Sequence, residues 1–219
     1  TFKPFSDCVI KKQKERQKFI SSFSNSIVIL GGRLPLVLSE DRFNNQEGGD
    51  EGDMTNVLQY PDNSLKTIND RKSAIFREYQ NTLYDLLKNG HYVILIYPIP
   101  EVGWNVPNKL FNLLPKNVFK IDDNKFLKEI KDNPITTSYD VYKQRTKESF
   151  GLLDSIQHPN LYRVYPHTLF CDNQIKDRCI THDNKDIFYK DDDHPSTKGA
   201  EMINELIIKE IKKIELKSN

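Results

Sequence analysis

Asp191 and His194 stand three residues apart in the run Asp191-Asp192-Asp193-His194-Pro195-Ser196-Thr197-Lys198-Gly199-Ala200. A carboxylate so placed accepts the imidazole Nδ1 proton and fixes the tautomer that leaves Nε2 free as a base. Half of a nucleophilic triad is therefore visible, without its nucleophile. Two other readings compete. One is a solvated loop histidine beside three carboxylates. The other is a metal site from Asp191, Asp193 and His194, but no distant His or Cys clearly completes its shell, and we expect no metal.

The elements around this run form an α/β pattern. Ser26-Ile27-Val28-Ile29-Leu30 is a β-branched run ended by Gly31-Gly32, a buried strand followed by a tight turn. A basic helical segment (9–23) precedes it. A helix with N-caps at Asp62-Asn63-Ser64 carries Leu65, Ile68, Ile75, Tyr79, Leu83 and Leu86 at mostly three-or-four spacing and stops at Asn89-Gly90. Tyr92-Val93-Ile94-Leu95-Ile96-Tyr97 then reads as a buried parallel strand. The Pro-rich loop 98–107 follows its C-terminal end, the edge where open parallel sheets bind ligands.

A helix is predicted from Ser138 to Ile156 and a strand at Leu161–Tyr165. Ser196 caps a last helix that turns Ile203, Leu206, Ile207, Ile211 and Ile214 inward. Between the first strand and the long helix, the acidic, Gly-rich stretch 40–53 reads as a mobile surface loop. The predicted architecture is a single domain (1–219), a three-layer α/β/α unit with a small, mostly parallel, doubly wound sheet. At least one further strand is expected, and a strand preceding Thr1 would supply it.

Composition narrows the function classes. With 219 residues, 37% hydrophobic and 29% charged, the rather polar chain is long enough for one sizeable domain with a proper core. A net charge of +1 gives no case for a nucleic-acid or anionic-membrane partner. The longest apolar run, 92–100, falls short of the roughly 20 residues of a spanning helix. Because the chain opens on Thr1 in irregular sequence, it reads as a piece of a longer polypeptide.

Cys171 and Cys179 bracket a polar loop that a core could hardly hold. A disulfide there would contribute on the order of 2–3 kcal/mol by loop closure; the alternative is two free thiols. Cys8 is the odd one, and its partner is expected upstream.

Several blocks, in order, carry a resemblance. They are Leu30-Gly31-Gly32-Arg33; the 97–107 loop; Phe170-Cys171-Asp172 with Cys179; Tyr189-Lys190-Asp191-Asp192-Asp193-His194-Pro195-Ser196; and Gly199-Ala200. From about Cys8 to Ile208 the chain resembles the SGNH domains fused to acyltransferase-three membrane proteins. It departs from them at Pro195, where Leu is usual. The superfamily's Gly-x-Asn-Asp block is replaced by Gly31-Gly32-Arg33-Leu34, a departure the fused domains share. The Gly-Asp-Ser-His nucleophile block is absent; Ser6-Asp7 only reverses its dipeptide. The serine is expected upstream of Thr1, and the alternative is a degenerate domain.

The resemblance implies an SGNH, flavodoxin-like fold. It also implies O-acylation, usually O-acetylation, of a surface polysaccharide such as lipopolysaccharide O-antigen, at the periplasmic or extracytoplasmic face of the cytoplasmic membrane. An acyltransferase-three membrane domain in the same polypeptide would deliver the acyl group from an acetyl-CoA-derived donor, and this domain would need no cofactor. His194 would be the base and Asp191 its orienter, with Gly32 and Arg33 contacting oxyanion or substrate. Trp104 and Asn105 would touch sugar or, equally, pack under the Pro-rich loop. An esterase that gives the acyl group to water, and a non-catalytic glycan-binding or scaffold domain, are the alternatives.

Overall fold

In the computed structural model, residues 7–39, 41–52, 67–114 and 123–218 are described, apart from the side chains of 7–10, 13, 123, 126 and 218. The elements run α1 (Asp7–Ile20), β1 (Ile27–Leu30), α2 (Leu34–Ser39), α3 (Ile68–Lys88), β2 (Tyr92–Ile96), α4 (Val106–Asn112) and α5 (Asp123–Asp132). They continue β3 (Thr136–Ser138), α6 (Tyr139–Asp154), β4 (Leu161–Val164), α7 (His167–Phe170), β5 (Arg178–Ile180) and α8 (Thr197–Ser218).

The three apolar runs form one parallel sheet in the order β1-β2-β4. Alternation along β2 divides the core. Val93 and Leu95 face Leu83, Leu86 and Leu87 of α3 with Leu153 of α6, while Ile94 faces Val164 and Ile203, Ile207 and Ile214 on the α8 side. Each such buried aliphatic side chain contributes about 1.5–3 kcal/mol from water exclusion. This is the three-layer α/β/α arrangement. The parallel sheet gains no further strand among the described residues. β3 and β5 pair antiparallel with each other in a separate two-stranded sheet.

Two expectations need correction. The N-cap of α3 is Thr67, in a reciprocal capping box with Asp70; Thr67 Oγ1 accepts from Asp70 N at 3.1 Å. Asp62-Asn63-Ser64, Leu65, Ser6 and the Cys8 side chain lie outside the described residues. The stretch 41–52 is also pinned rather than mobile. Asn45, 0% exposed, accepts from the Glu47 and Gly49 N–H groups and donates to Val102 O at 2.8 Å. Its acidic, Gly-rich composition hid an asparagine whose side chain replaces backbone partners.

Candidate active site

The Asp-His segment is held from both ends. Behind it, Ser196 N donates to Phe188 O at 2.8 Å, and Ser196 Oγ accepts from Gly199 N at 3.1 Å to cap α8, as its position implied. Gly199 lets that helix start close to the strand-like piece before it, because a Cβ there would collide with Phe188 O. In front, Val102 N and Gly103 N both donate to Asp192 O, at 2.9 and 3.1 Å, and the Tyr189 hydroxyl donates to Pro100 O at 2.9 Å. The loop after β2 and the loop before α8 thus form one rigid rim at the C-terminal edge of the sheet.

On that rim Asp191 Oδ1 accepts from the backbone N–H of His194 at 2.7 Å and of Asp193 at 3.1 Å, making a turn that aims the imidazole back at its own loop. His194 Nδ1 lies 3.0 Å from Asp191 Oδ2 and 2.8 Å from Asp193 Oδ1. Both neighbours only accept when ionised, so Nδ1 carries the proton. Nε2 has no hydrogen-bond partner among the described residues, and the ring is 61% exposed. Burial pushes the Asp191 carboxyl up, but the two backbone donors and the imidazole outweigh it and hold it below the ordinary range. Asp193 goes the other way: burial lifts it, and Arg33 and His194 only partly offset this.

Arg33 follows the Gly31-Gly32 turn, and its whole guanidinium is occupied. Nε donates to Glu101 and Nη2 to Glu51, and Nη1 lies 2.7 Å from Asp193 Oδ2 in an ion pair. Glu101, only 5% exposed, also accepts from Arg145 Nε of α6 at 2.9 Å. Arg145 Nη1 in turn donates to Ser39 Oγ at 2.6 Å. Burial works against the Arg33 charge, but its bonds and attraction to Glu51 and Glu101 raise it above its ordinary range. Arg33 is the centre of an ionic hub joining the stretch 41–52, α6 and the Asp-His rim.

A groove of about 270 Å³ opens beside the hub, walled by Pro35, Ile96, Pro98, Ile99 and Pro195 with Gly32, Arg33 and His194 at its lining. Trp104 and Asn105 do not line it. The Lys109 ammonium sits 3.4 Å from the Trp104 ring centroid, and a Cβ on Gly49 would meet that ring at 2.7 Å. Asn105 Oδ1 accepts from Asn108 N at 2.9 Å, which caps α4.

No serine among the described residues reaches His194. Ser196 caps α8, and Ser39 Oγ donates to Pro35 O at 2.9 Å. The other histidines are structural: His182 Nε2 accepts from Ile135 N at 3.0 Å, and His167 packs among Tyr139, Tyr142, Phe150 and Tyr165. Asp191, Asp193 and His194 bring ligand atoms within 4.8 Å of one another, a set able to hold a cation. The Arg33 guanidinium on Asp193 opposes one there by repulsion.

Glu101, Glu51 and Arg145 were not among the expected site residues. The signal for Glu101 was present: a carboxylate directly after Pro98-Ile99-Pro100, at the ligand-binding edge of a buried strand, requires cationic partners. Cys171 and Cys179 are joined by the disulfide considered from their spacing. It ties the residue after α7 to β5.

A family model described as "SGNH domain (fused to AT3 domains)" matches residues 3–209. No curated protein and no solved structure matches the chain.

Proposed function

The chain belongs to the family of SGNH domains fused to AT3 domains, and on that premise we propose that it passes an acetyl or other acyl group to a hydroxyl of a cell-surface polysaccharide. The observation that carries the reading is the His194 ring, with Nδ1–H facing two carboxylates and Nε2 left free beside the groove.

In this reading Nε2 takes the proton from a serine hydroxyl as its oxygen attacks the acyl carbonyl carbon. The donor's leaving group departs with that proton, and an acyl-serine remains. His194 then takes the proton of a sugar hydroxyl, whose oxygen attacks the acyl carbon and releases the serine, which recovers the proton. Asp191 keeps Nδ1–H in place through both steps and stabilises the imidazolium. Gly32, at the groove lining, is suited to bring backbone N–H toward the developing oxyanion.

The serine comes from a strand outside this chain that pairs along β1. Support lies in the free edge of β1 among the described residues, where Ile27 and Ile29 are 36% and 45% exposed although they belong to an apolar run. The membrane-embedded AT3 domain of the same polypeptide supplies acyl groups from an acetyl-CoA-derived donor, and the reaction takes place on the extracytoplasmic, periplasmic side. The Cys171–Cys179 disulfide fits that oxidising compartment.

The test is O-acyl content of surface polysaccharide from cells that depend on the full-length protein. His194→Ala is expected to lower acylation by about 10³-fold or more at unchanged protein level. Wild-type acylation by that variant rules the mechanism out.

A further inference from the structure

We propose that Asp193 is a second positioning residue for His194, oriented by Arg33, and that it fixes the imidazole tautomer jointly with Asp191. Asp193 Oδ2 lies 2.7 Å from Arg33 Nη1 and its Oδ1 lies 2.8 Å from His194 Nδ1, both as ion-pair contacts, while the hydrogen-bond geometry of Nδ1 is toward Asp191. Its carboxylate therefore has one oxygen assigned to the guanidinium and the other to the ring. Asp191 carries a different load, since its Oδ1 also accepts the two backbone N–H groups that shape the turn.

Asp193 makes the shortest contact to Nδ1, and its side chain is 11% exposed against 31% for Asp191. A less solvated charge acts more strongly on the ring proton, because water screens it less. The charged groups facing Nδ1 are Asp191 and Asp193. Arg33 stands behind Asp193, Glu51 and Glu101 stand behind Arg33, and Asp192 is alongside.

This orientation has a chemical consequence that a merely structural role lacks. Arg33 only donates, so in Asp193→Asn the amide oxygen must face it and the amide NH₂ then faces Nδ1. A donor opposite Nδ1 favours the imidazole whose proton sits on Nε2, and that ring cannot act as base. Asp193→Ala removes the contact without inserting a donor, leaving Asp191 to hold the proton on Nδ1. The closer isostere is the more damaging change.

The experiment is a long-range ¹H–¹⁵N imidazole spectrum of the protein at a pH where the ring is neutral, with His194→Gln to assign the signals. Wild type and Asp193→Ala should show the Nδ1–H pattern, and Asp193→Asn should shift toward Nε2–H. An unchanged pattern in Asp193→Asn overturns the proposal. In the full-length acyltransferase, Asp193→Asn should lower kcat on the order of tenfold more than Asp193→Ala, with KM unchanged. An Ala variant as impaired as the Asn variant also overturns it. Only the kinetic arm rests on the acyl-transfer reading; the tautomer is observed without turnover, so the two can fail separately.

Discussion

Arg145 Nε reaches Glu101 Oε2 across 2.9 Å and ties helix α6 to the loop that carries the Asp-His rim. Glu101 accepts from Arg33 through its other oxygen, so one buried carboxylate bridges two guanidinium groups. The hub is a positioning device built from long-range contacts, since Arg33 follows β1 and Arg145 lies in α6, far along the chain.

Removing the Glu101 charge leaves both cations facing each other. Glu101→Gln should cost about 3 kcal/mol of folding stability, at the lower end for a broken buried pair because Arg33 reaches solvent. Denaturant unfolding measures it. A change under about 0.5 kcal/mol would show that the hub holds nothing in place.

The Cys171–Cys179 bond closes a loop with a sequence separation of 8. Replacing both cysteines by alanine should lower stability by about 2–3 kcal/mol through the entropy returned to the unfolded chain. Peptide mapping of unreduced protein should find the two joined. Two freely alkylatable thiols in the native protein would contradict both the bond and the oxidising compartment.

The two acids on His194 should titrate in a definite order. Asp193 is raised above its ordinary 3.8 and Asp191 is lowered below it, so Asp193 protonates first as pH falls. Asp191 adds stability that is present above pH 3.8 and lost as pH falls through its lower folded value. For Asp193 the folded state binds the proton more tightly than the unfolded chain does. Its ionised form therefore costs stability above the raised value, and that cost is relieved as pH falls through it. Carboxyl ¹³C titration of the assigned residues gives the order directly. Asp191 protonating before Asp193 would contradict the assigned environments.

The sheet and the Asp191–His194 pair were legible in the sequence because each rests on a local pattern. Tyr92–Ile96 is an unbroken apolar run between a glycine stop and a proline loop, and the dyad lies within one turn of chain. The hub was not legible. Arg33, Glu51, Glu101 and Arg145 meet only after the sheet and α6 have packed, and nothing in the spacing of 33, 51, 101 and 145 marks them as partners. The same limit applies to 41–52, where polar composition suggested mobility although Asn45 is fully enclosed. Trp104 illustrates the same limit: its position against Gly49 and under the Lys109 ammonium, outside the groove lining, follows from contacts that the loop's composition does not show.

The central claim is that Asp191 acts through His194. Acyl transfer by full-length Asp191→Asn, His194→Ala and the double variant tests it most directly, because residues working as one unit give losses that do not multiply. The double variant should be no slower than His194→Ala alone. A further loss in the double variant equal to that of Asp191→Asn by itself would show that the two residues act independently, and would contradict the account.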